Sequence, residues 1–158
     1  MVTLFTVRAL LLVAALVVVG VAAMPANAGD DKKKDPPKLP PLDSKEWKAL
    51  GDKGLKVWDV KEGKGDAAKA GAMVTIHYTG WTLDGKIFDS SVTRGEPAQF
   101  PLKNLIKGWQ VGVPGMKPGG VRRLSIPYQL AYGEAGRPPT IPAKATLIFE
   151  IEAFENKK

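Results

Sequence analysis

Residues 73–91 read MVTIHYTGWTLDGKIFDSS, and this stretch decides the fold. Val74, Ile76 and Tyr78 alternate with polar residues, which is the period of a β-strand with one buried face. The Asp-Gly pair at 84–85 tolerates the positive φ angles that a tight turn requires, so the chain is expected to return as a second strand. The sequence therefore predicts an antiparallel hairpin.

This hairpin would bring a phenol, a phenyl ring and a carboxylate to one concave surface, those of Tyr78, Phe88 and Asp89. A carboxylate beside aromatic rings is typical of a pocket that binds a ligand. The chain has no cysteine and one histidine, so a binding pocket is a better interpretation than a nucleophilic site.

Apolar patterning predicts four more strands, over residues 55–62, 98–102, 121–126 and 145–154. The segments between the elements are predicted loops, over 63–71, 90–97 and 127–142. Residues 43–50 are expected to form one or two helical turns, with Asp43 or Ser44 as the N-cap and Trp47 and Leu50 docked on the domain.

One short helix is predicted between Asn104, whose side chain could cap it, and Pro114. Its inward face would consist of Ile106, Trp109, Gln110 and Val113, spaced i, i+3, i+4 and i+7. Each of its two internal glycines costs ~1 kcal/mol relative to alanine, so the helix should exist only because Trp109 packs against a sheet. The predicted fold class is α+β, an antiparallel, curled β-sheet (half-barrel) wrapped around one short α-helix.

Residues 1–28 have the three parts of a secretory signal peptide. Arg8 precedes the apolar run 9–19, and Ala-Asn-Ala at 26–28 is a small-x-small cleavage site. We expect export to the periplasm or the medium, and no stable membrane span after cleavage. The apolar stretch is shorter than the ~20 residues of a spanning helix. The alternative is an uncleaved segment that anchors the chain to a membrane.

Residues 29–42, GDDKKKDPPKLPPL, are charged and then proline-rich, which predicts a disordered or polyproline-like linker. The predicted domain follows at 43–158. The formal net charge is +7, but the lysines are scattered and no basic stripe is interleaved with aromatic residues, so no nucleic-acid partner is predicted. A tethered protein that uses its basic surface to bind the cell envelope stays open as an interpretation supported by charge alone.

Metal and nucleophilic chemistry find little support in the sequence. His77 is the only histidine and lies on the strand face opposite Tyr78, so no metal site is predicted. A Ser-His-Asp arrangement would require His77 to meet Ser90 or Ser91, and no nucleophile-elbow motif accompanies them. Asp89 is the one acid expected in the pocket, so paired-carboxylate chemistry is excluded as well.

Five segments occur in a fixed order: HYTG (77–80), DGKIFDSS (84–91), IKGW (106–109), IPYQLAYG (126–133) and IPAKATLIFEIE (141–152). In this order and spacing they resemble the FKBP-type peptidyl-prolyl cis–trans isomerases, over residues 54–155. The resemblance implies a monomer without cofactor that acts on Xaa-Pro segments of unfolded or partly folded proteins. It also implies binding of macrolide inhibitors.

The resemblance further implies roles for individual side chains. Trp109 would lie under the prolyl ring, and Ile106 would present its backbone N–H to a substrate carbonyl. Tyr132 would offer its hydroxyl to the carbonyl before proline, Asp89 would orient a tyrosine or hold a polar edge, and Ile141 would close the rim. The implied catalytic residues are Tyr78, Asp89, Tyr132 and Phe149, and the implied substrate-binding residues are Phe88, Leu105, Ile106, Trp109 and Ile141.

The chain departs from the small vertebrate members of that family at the rim of the implied pocket. Ala98 stands where they have a phenylalanine, Arg137 where a histidine is common, and Thr140 where they have an aliphatic residue. The loop after Tyr132 also lacks the long insertion of chaperone-type members. These differences affect the expected substrate preference and macrolide affinity more than the expected activity.

An apolar pocket suits prolyl isomerisation because this reaction breaks no bond. Its barrier of ~18–20 kcal/mol is the loss of amide resonance. The twisted amide is less dipolar than the planar one, so an apolar pocket favours it and needs no base, metal or cofactor. The alternative interpretation is a module that binds proline-containing peptides, or a chaperone, with little turnover.

Overall fold

The computed structural model describes residues 34–155, so the predicted signal peptide lies outside the described residues. Within that range seven strands form one open sheet: β1 (Lys48–Ala49), β2 (Lys56–Lys61), β3 (Met73–Thr82), β4 (Ile87–Ser90), β5 (Ala98–Pro101), β6 (Val121–Ile126) and β7 (Leu147–Phe154). Their order is β1-β2-β6-β7-β3-β4, with β5 beside the first half of β3, and every pair is antiparallel. The predicted α+β class with a curled antiparallel sheet is confirmed.

Two short α-helices accompany the sheet in this part of the chain, α1 (Ser91–Arg94) and α2 (Lys107–Gly112). Single 3-10 turns occur at Leu102–Asn104 and Tyr128–Leu130. None of the helices within residues 34–155 has the length and apolarity needed to cross a membrane.

The core lies between the concave face of the sheet and α2. Alternation along β7 buries Leu147, Phe149, Ile151 and Ala153 on this face, as the sequence predicted. The helix contributes Trp109 and its C-cap residue is Val113, and both side chains are almost fully buried. Packing therefore stabilises a helix that is too short to be stable alone.

The two helix glycines are explained by how closely α2 approaches β6. A Cβ on Gly108 would overlap the side chain of Ile126, and a Cβ on Gly112 would lie 2.7 Å from a methyl group of Leu124. The helix backbone therefore rests directly on strand side chains, and the propensity lost by using glycine is offset by this contact.

The prediction of helical turns at 43–50 was wrong. The structure has turns there, followed by β1, in which Lys48 pairs with Val57 of β2. The ring of Trp47 packs edge-to-face against Trp58, with centroids 5.7 Å apart. Sheet pairing thus overrides the local capping signal. The docking of Leu50 on the core is as predicted.

Two details near the helices also differ from expectation. The predicted loop 90–97 contains α1, whose N-cap Ser90 accepts a hydrogen bond from the backbone N–H of Thr93 at 3.3 Å. Asn104 does not cap α2; it ends the preceding 3-10 turn, and α2 begins after Ile106. The side chain of Gln110 instead reaches back and donates to the carbonyl of Leu105 at 2.7 Å, which stabilises the entry to the helix.

The described part of the predicted linker is residues 34–42, which we call the strap. The strap has no helix or strand, as its composition indicates, but Pro40 is buried. Its first residues line a cleft with His77 and Glu150 on the outer face of the sheet. At its far end the carbonyl of Pro41 accepts a hydrogen bond from the indole of Trp47 at 2.9 Å. The strap is thus packed on the domain, unlike a free tether.

The outer face of the sheet also carries a buried apolar strip. Trp81 of β3 and Ile148 of β7 are paired there, each 1% exposed, and neither belongs to the concave core. Between the cleft and Trp47, Leu39 lies beside the β3–β4 turn, 3.9 Å from the position a Cβ on Gly85 would take. We infer that the strap is the cover that keeps this strip out of water.

Candidate functional site

An aromatic pocket of about 200 Å³ opens between α2, the hairpin and the loop after β6. It is lined by Tyr78, Phe88, Asp89, Phe100, Leu105, Ile106, Trp109, Tyr132, Arg137 and Phe149. Eight of the nine predicted site residues are therefore together in the structure. The ninth, Ile141, is 3% exposed and belongs to the core instead of the pocket lining.

Edge-to-face contacts fix the rings of this pocket. Trp109 stands nearly perpendicular to Tyr78 and Phe149, with centroid distances of 5.4 and 5.2 Å. Phe88 meets Phe149 in the same manner at 5.5 Å. Such pairs contribute ~0.5–1.5 kcal/mol each beyond area burial. The indole N–H of Trp109 is buried and makes no hydrogen bond within residues 34–155.

The glycine of the HYTG segment allows two of the rings to come together. Gly80 pairs with Phe149 across β3 and β7. A Cβ on Gly80 would lie 2.6 Å from the tip of the Phe88 ring and 2.8 Å from the ring of Phe149. The two rings therefore pack in the space that a side chain at position 80 would occupy. Any larger residue at this position would displace the rings into the pocket.

A charged network holds the polar side of the pocket. The hydroxyl of Tyr78 donates to Oδ2 of Asp89 at 2.6 Å, and Arg94 donates to Oδ1 of the same carboxylate at 2.5 Å. Arg94 also donates to the Tyr78 hydroxyl at 2.9 Å. Asp89 is thus neutralised and bound on both oxygens, which fits an orienting group better than a general base. Sequence reasoning missed Arg94, because it lay in a predicted loop.

Besides the indole of Trp109, two further polar groups of the pocket residues have no partner in the described chain. The hydroxyl of Tyr132 and the backbone N–H of Ile106 make no hydrogen bond within residues 34–155. The Tyr132 loop is tied by the N–H of Gly133, which donates to the carbonyl of Tyr128 at 2.8 Å. Both groups can therefore bind a ligand carbonyl.

Phe100 and Arg137 also line the pocket, although neither was assigned a role in it; Arg137 was noted only as a difference at the rim. The Phe100 ring contacts Tyr78 edge-on at 6.0 Å. Its alternation within β5 could have suggested an inward ring. Arg137 comes from the irregular loop after β6, where no periodicity indicates which side chains face a pocket.

A larger cavity, about 600 Å³, lies between the loop at 64–72 and the ends of β3 and β7. It contains none of the predicted site residues, and its lining is mainly aliphatic. We assign the site to the aromatic pocket, because only there do rings, a fixed charge network and unpaired polar groups converge among the described residues.

The contact between His77 and Ser91 does not form a hydrolytic site. Nδ1 of His77 lies 3.0 Å from Oγ of Ser91, as a catalytic pair would. Ser91 is fully buried, however, and its oxygen accepts the backbone N–H of Tyr78 at 2.8 Å. No substrate can reach it, so this contact positions β3 against α1.

The pH dependence of any activity in this pocket should be weak. Burial raises the pKa of the Tyr78 phenol above its usual value of about 10, and the hydrogen bond to Asp89 raises it further, against a smaller opposing effect of Arg94. We expect kcat/KM for an Xaa-Pro peptide to stay constant between about pH 6 and 9, because the phenol keeps its proton. A kcat/KM–pH profile measured without a coupling protease checks this, and a bell-shaped profile would contradict it.

The same pKa shift has a consequence for stability. The folded state favours the phenol over the phenolate. The protonated Tyr78 therefore contributes to the free energy of unfolding, and this contribution is fully present below about pH 10. It is lost as the pH rises through the raised pKa of Tyr78. Raising the pH above about 10 should therefore lower the free energy of unfolding of the wild type more than that of the Tyr78→Phe variant, which lacks the phenol.

Comparison with known proteins places the chain in context. The family model for FKBP-type peptidyl-prolyl cis-trans isomerase matches residues 64–154. The chain is 48% identical over 104 residues to the FK506-binding protein of Neisseria meningitidis serogroup B, covering 65% of this chain and 95% of that protein. It is 45% identical over 106 residues to FK506-binding protein 4 of Rhizopus delemar, covering 66% of this chain and 28% of that protein.

Among solved structures, the crystal structure of FkpA from Escherichia coli is similar, with a TM-score of 0.66 and 43% identity. The similarity covers 72% of this chain and 52% of FkpA. The chain thus spans nearly the whole Neisseria protein, but about half of FkpA and less than a third of the Rhizopus protein.

Proposed function

The chain belongs to the FKBP-type peptidyl-prolyl cis–trans isomerase family, and on this premise we propose that it accelerates proline-limited folding of exported proteins. The observation that supports this most directly is the ring-lined pocket with Trp109 at its centre. Its only acid among the described lining residues, Asp89, is already bound by Arg94 and Tyr78. Such a pocket suits a reaction that changes a torsion angle and transfers no proton.

Catalysis would follow from differential solvation of the amide. The planar Xaa-Pro amide is stabilised by resonance and by water around its dipolar carbonyl, and the twisted form has lost both. Transfer into a pocket walled by Trp109, Phe149 and Phe88 therefore costs the twisted form less free energy than the planar form. The pocket would lower the barrier by this difference, which is binding that is stronger in the transition state.

The unpaired polar groups would orient the substrate. Trp109 would lie under the prolyl ring, with Leu105 at the entrance and the N–H of Ile106 donating to a backbone carbonyl. Tyr132 would donate its hydroxyl to the carbonyl before proline. Asp89 would act as a positioning residue that holds the ring of Tyr78 in the wall.

We also propose the organisation of the chain and its address. Residues 1–28 would be a cleaved signal peptide, supported by the charged, apolar and small-residue segments of the sequence. The mature protein would begin at Gly29 and act as a monomer in the periplasm or the medium. The intact mass of protein recovered from the producing cells tests this, and a mass that includes residues 1–28 would favour the membrane-anchored alternative.

The name of the Neisseria relative suggests a ligand class as well. That protein is an FK506-binding protein. We propose that the aromatic pocket of this chain binds a macrolide of this kind, with the indole ring of Trp109 beneath the ligand.

The isomerase proposal is tested by refolding a model protein whose slow phase is limited by a proline. Micromolar amounts of the mature chain should accelerate this phase. Asp89→Asn should lower kcat/KM on an Xaa-Pro peptide about three- to ten-fold, because Tyr78 loses its charged acceptor. Glu96→Gln, which makes the same chemical change at an exposed residue outside the pocket, is the control and should match the wild type.

The absence of any acceleration would end this proposal. Tryptophan fluorescence with proline-containing peptides then separates the rival, because a peptide that binds near Trp109 without faster isomerisation indicates a binding module.

A further inference from the structure

The pocket mouth carries more positive than negative charge. Asp89 is neutralised by its ion pair with Arg94. Arg137, by contrast, lines the pocket and has no carboxylate within 4 Å among residues 34–155. Lys103 and Lys107 flank the entrance residues, are exposed, and likewise form no ion pair in the described chain. A substrate that approaches the pocket therefore meets an uncompensated cationic rim.

Arg137 is held in place, which distinguishes it from an ordinary exposed arginine. Its backbone N–H donates to the carbonyl of Ile141 at 2.8 Å, and the N–H of Ile141 returns the bond at 3.0 Å. Ile141 is buried in the core and anchors this pair. The predicted rim residue thus serves the pocket indirectly, by fixing the backbone from which Arg137 extends.

The guanidinium of Arg137 also lies over the ring of Tyr132, 5.9 Å from its centroid. This distance is within the range of a cation–π contact. The contact directs the guanidinium towards the side of the pocket where Tyr132 presents its unpaired hydroxyl. If that hydroxyl binds the carbonyl of the residue before proline, the side chain of the same residue lies within reach of Arg137.

We propose that Arg137 is a specificity-determining residue that selects substrates with Asp or Glu immediately before proline. This inference rests on the proposed isomerase function and names a substrate class for it. A planar guanidinium binds a carboxylate through two parallel hydrogen bonds, which a neutral or basic side chain cannot match. Because the arginine is exposed, we expect a preference of about three- to five-fold, in line with exposed ion pairs.

The test compares four peptides that differ only in the residue before proline: Glu, Gln, Leu and Lys. Their cis–trans exchange is followed by NMR, so that no protease preference enters. For the wild type, kcat/KM for Glu should exceed that for its neutral counterpart Gln about three- to five-fold, and ~0.5 M salt should bring the ratio towards one. Arg137→Lys should keep part of the preference, and Arg137→Glu should invert it in favour of Lys.

Lys144→Glu is the matched control. It makes the same change in net charge close to Arg137 in the chain, but Lys144 does not line the pocket and pairs with Glu134. Its Glu/Gln ratio should stay at the wild-type value. Circular dichroism of each variant shows that the fold is retained, and the salt dependence of the wild type tests the proposal without any variant.

The outcomes separate this inference from the function beneath it. Turnover of the Leu peptide with a Glu/Gln ratio near one overturns the role of Arg137 and leaves the isomerase proposal standing. An equal loss of preference in Lys144→Glu and Arg137→Glu overturns it too, because a diffuse field would then be the cause. No exchange with any of the four peptides removes both proposals.

Discussion

Phe149→Leu should lower kcat/KM for an Xaa-Pro peptide by about ten-fold or more, which corresponds to ~1.4 kcal/mol of transition-state stabilisation. The ring of Phe149 is 4% exposed and is the one that contacts both Trp109 and Phe88. Leucine keeps an apolar side chain at this position but removes the planar wall and frees its two neighbours to rotate. The twisted amide then meets a looser and wetter pocket, so kcat should fall together with kcat/KM.

Phe154→Leu is the control for this experiment. It makes the same substitution further along β7, where the ring lies outside the aromatic pocket and contacts His77 at 5.5 Å. Both variants should lose about 1 kcal/mol of stability from altered packing, which thermal unfolding measures. Equal activity of the two variants would show that the Phe149 ring has no part in catalysis.

Removal of the strap should be the second large effect, and it acts on stability. A chain that begins at Asp43 should have a free energy of unfolding about 2–4 kcal/mol below that of a chain that begins at Gly29. The loss arises because Trp81 and Ile148 become exposed to water, and full burial of a large apolar side chain contributes ~1.5–3 kcal/mol. Other side chains would still partly cover Trp81 and Ile148, so the expected loss is smaller than the sum of the two full burial terms.

Urea unfolding measures this difference, with the m-value as a check that both chains unfold in one step. A pair of single substitutions gives a sharper form of the test: Pro40→Ser changes a buried residue of the strap, and Pro41→Ser changes its exposed neighbour. Pro40→Ser should destabilise and Pro41→Ser should not. If truncation leaves the unfolding curve unchanged, the outer strip is covered by something other than residues 34–42.

The longer strands could be predicted from the sequence because apolar and polar residues alternate along part of each one. The predicted ranges 121–126 and 145–154 agree closely with β6 (Val121–Ile126) and β7 (Leu147–Phe154). β1 has two residues and exists only because β2 offers it a partner, so no local period could reveal it. α1 is similar: one helical turn depends on the cap at Ser90 and leaves no repeating pattern.

Some residues of the pocket could likewise be predicted from the sequence, and others could not. Its rings stand on regular elements, whose positions follow from the motifs, so their convergence could be foreseen. Arg94 and Arg137 stand on a short turn and an irregular loop, and their directions are set by Asp89 and by the backbone pair with Ile141. These partners are only five and four residues away in the chain, but no repeating pattern in either segment reveals the contacts. Proline-rich composition likewise does not show what a segment packs against, so the packing of the strap on the domain could not be predicted.

The bare backbone contact between α2 and β6 has an implication for how relatives of this protein can diverge. Two absent methyl groups, at Gly108 and Gly112, determine how far Trp109 protrudes towards a ligand. The depth of the pocket can therefore change through substitutions on the side of α2 that faces away from the pocket. A larger residue at Gly108 or Gly112 would require a smaller one at Ile126 or Leu124. Ligand selectivity can drift in this way through positions that no ligand ever touches, and a comparison restricted to lining residues would miss the cause.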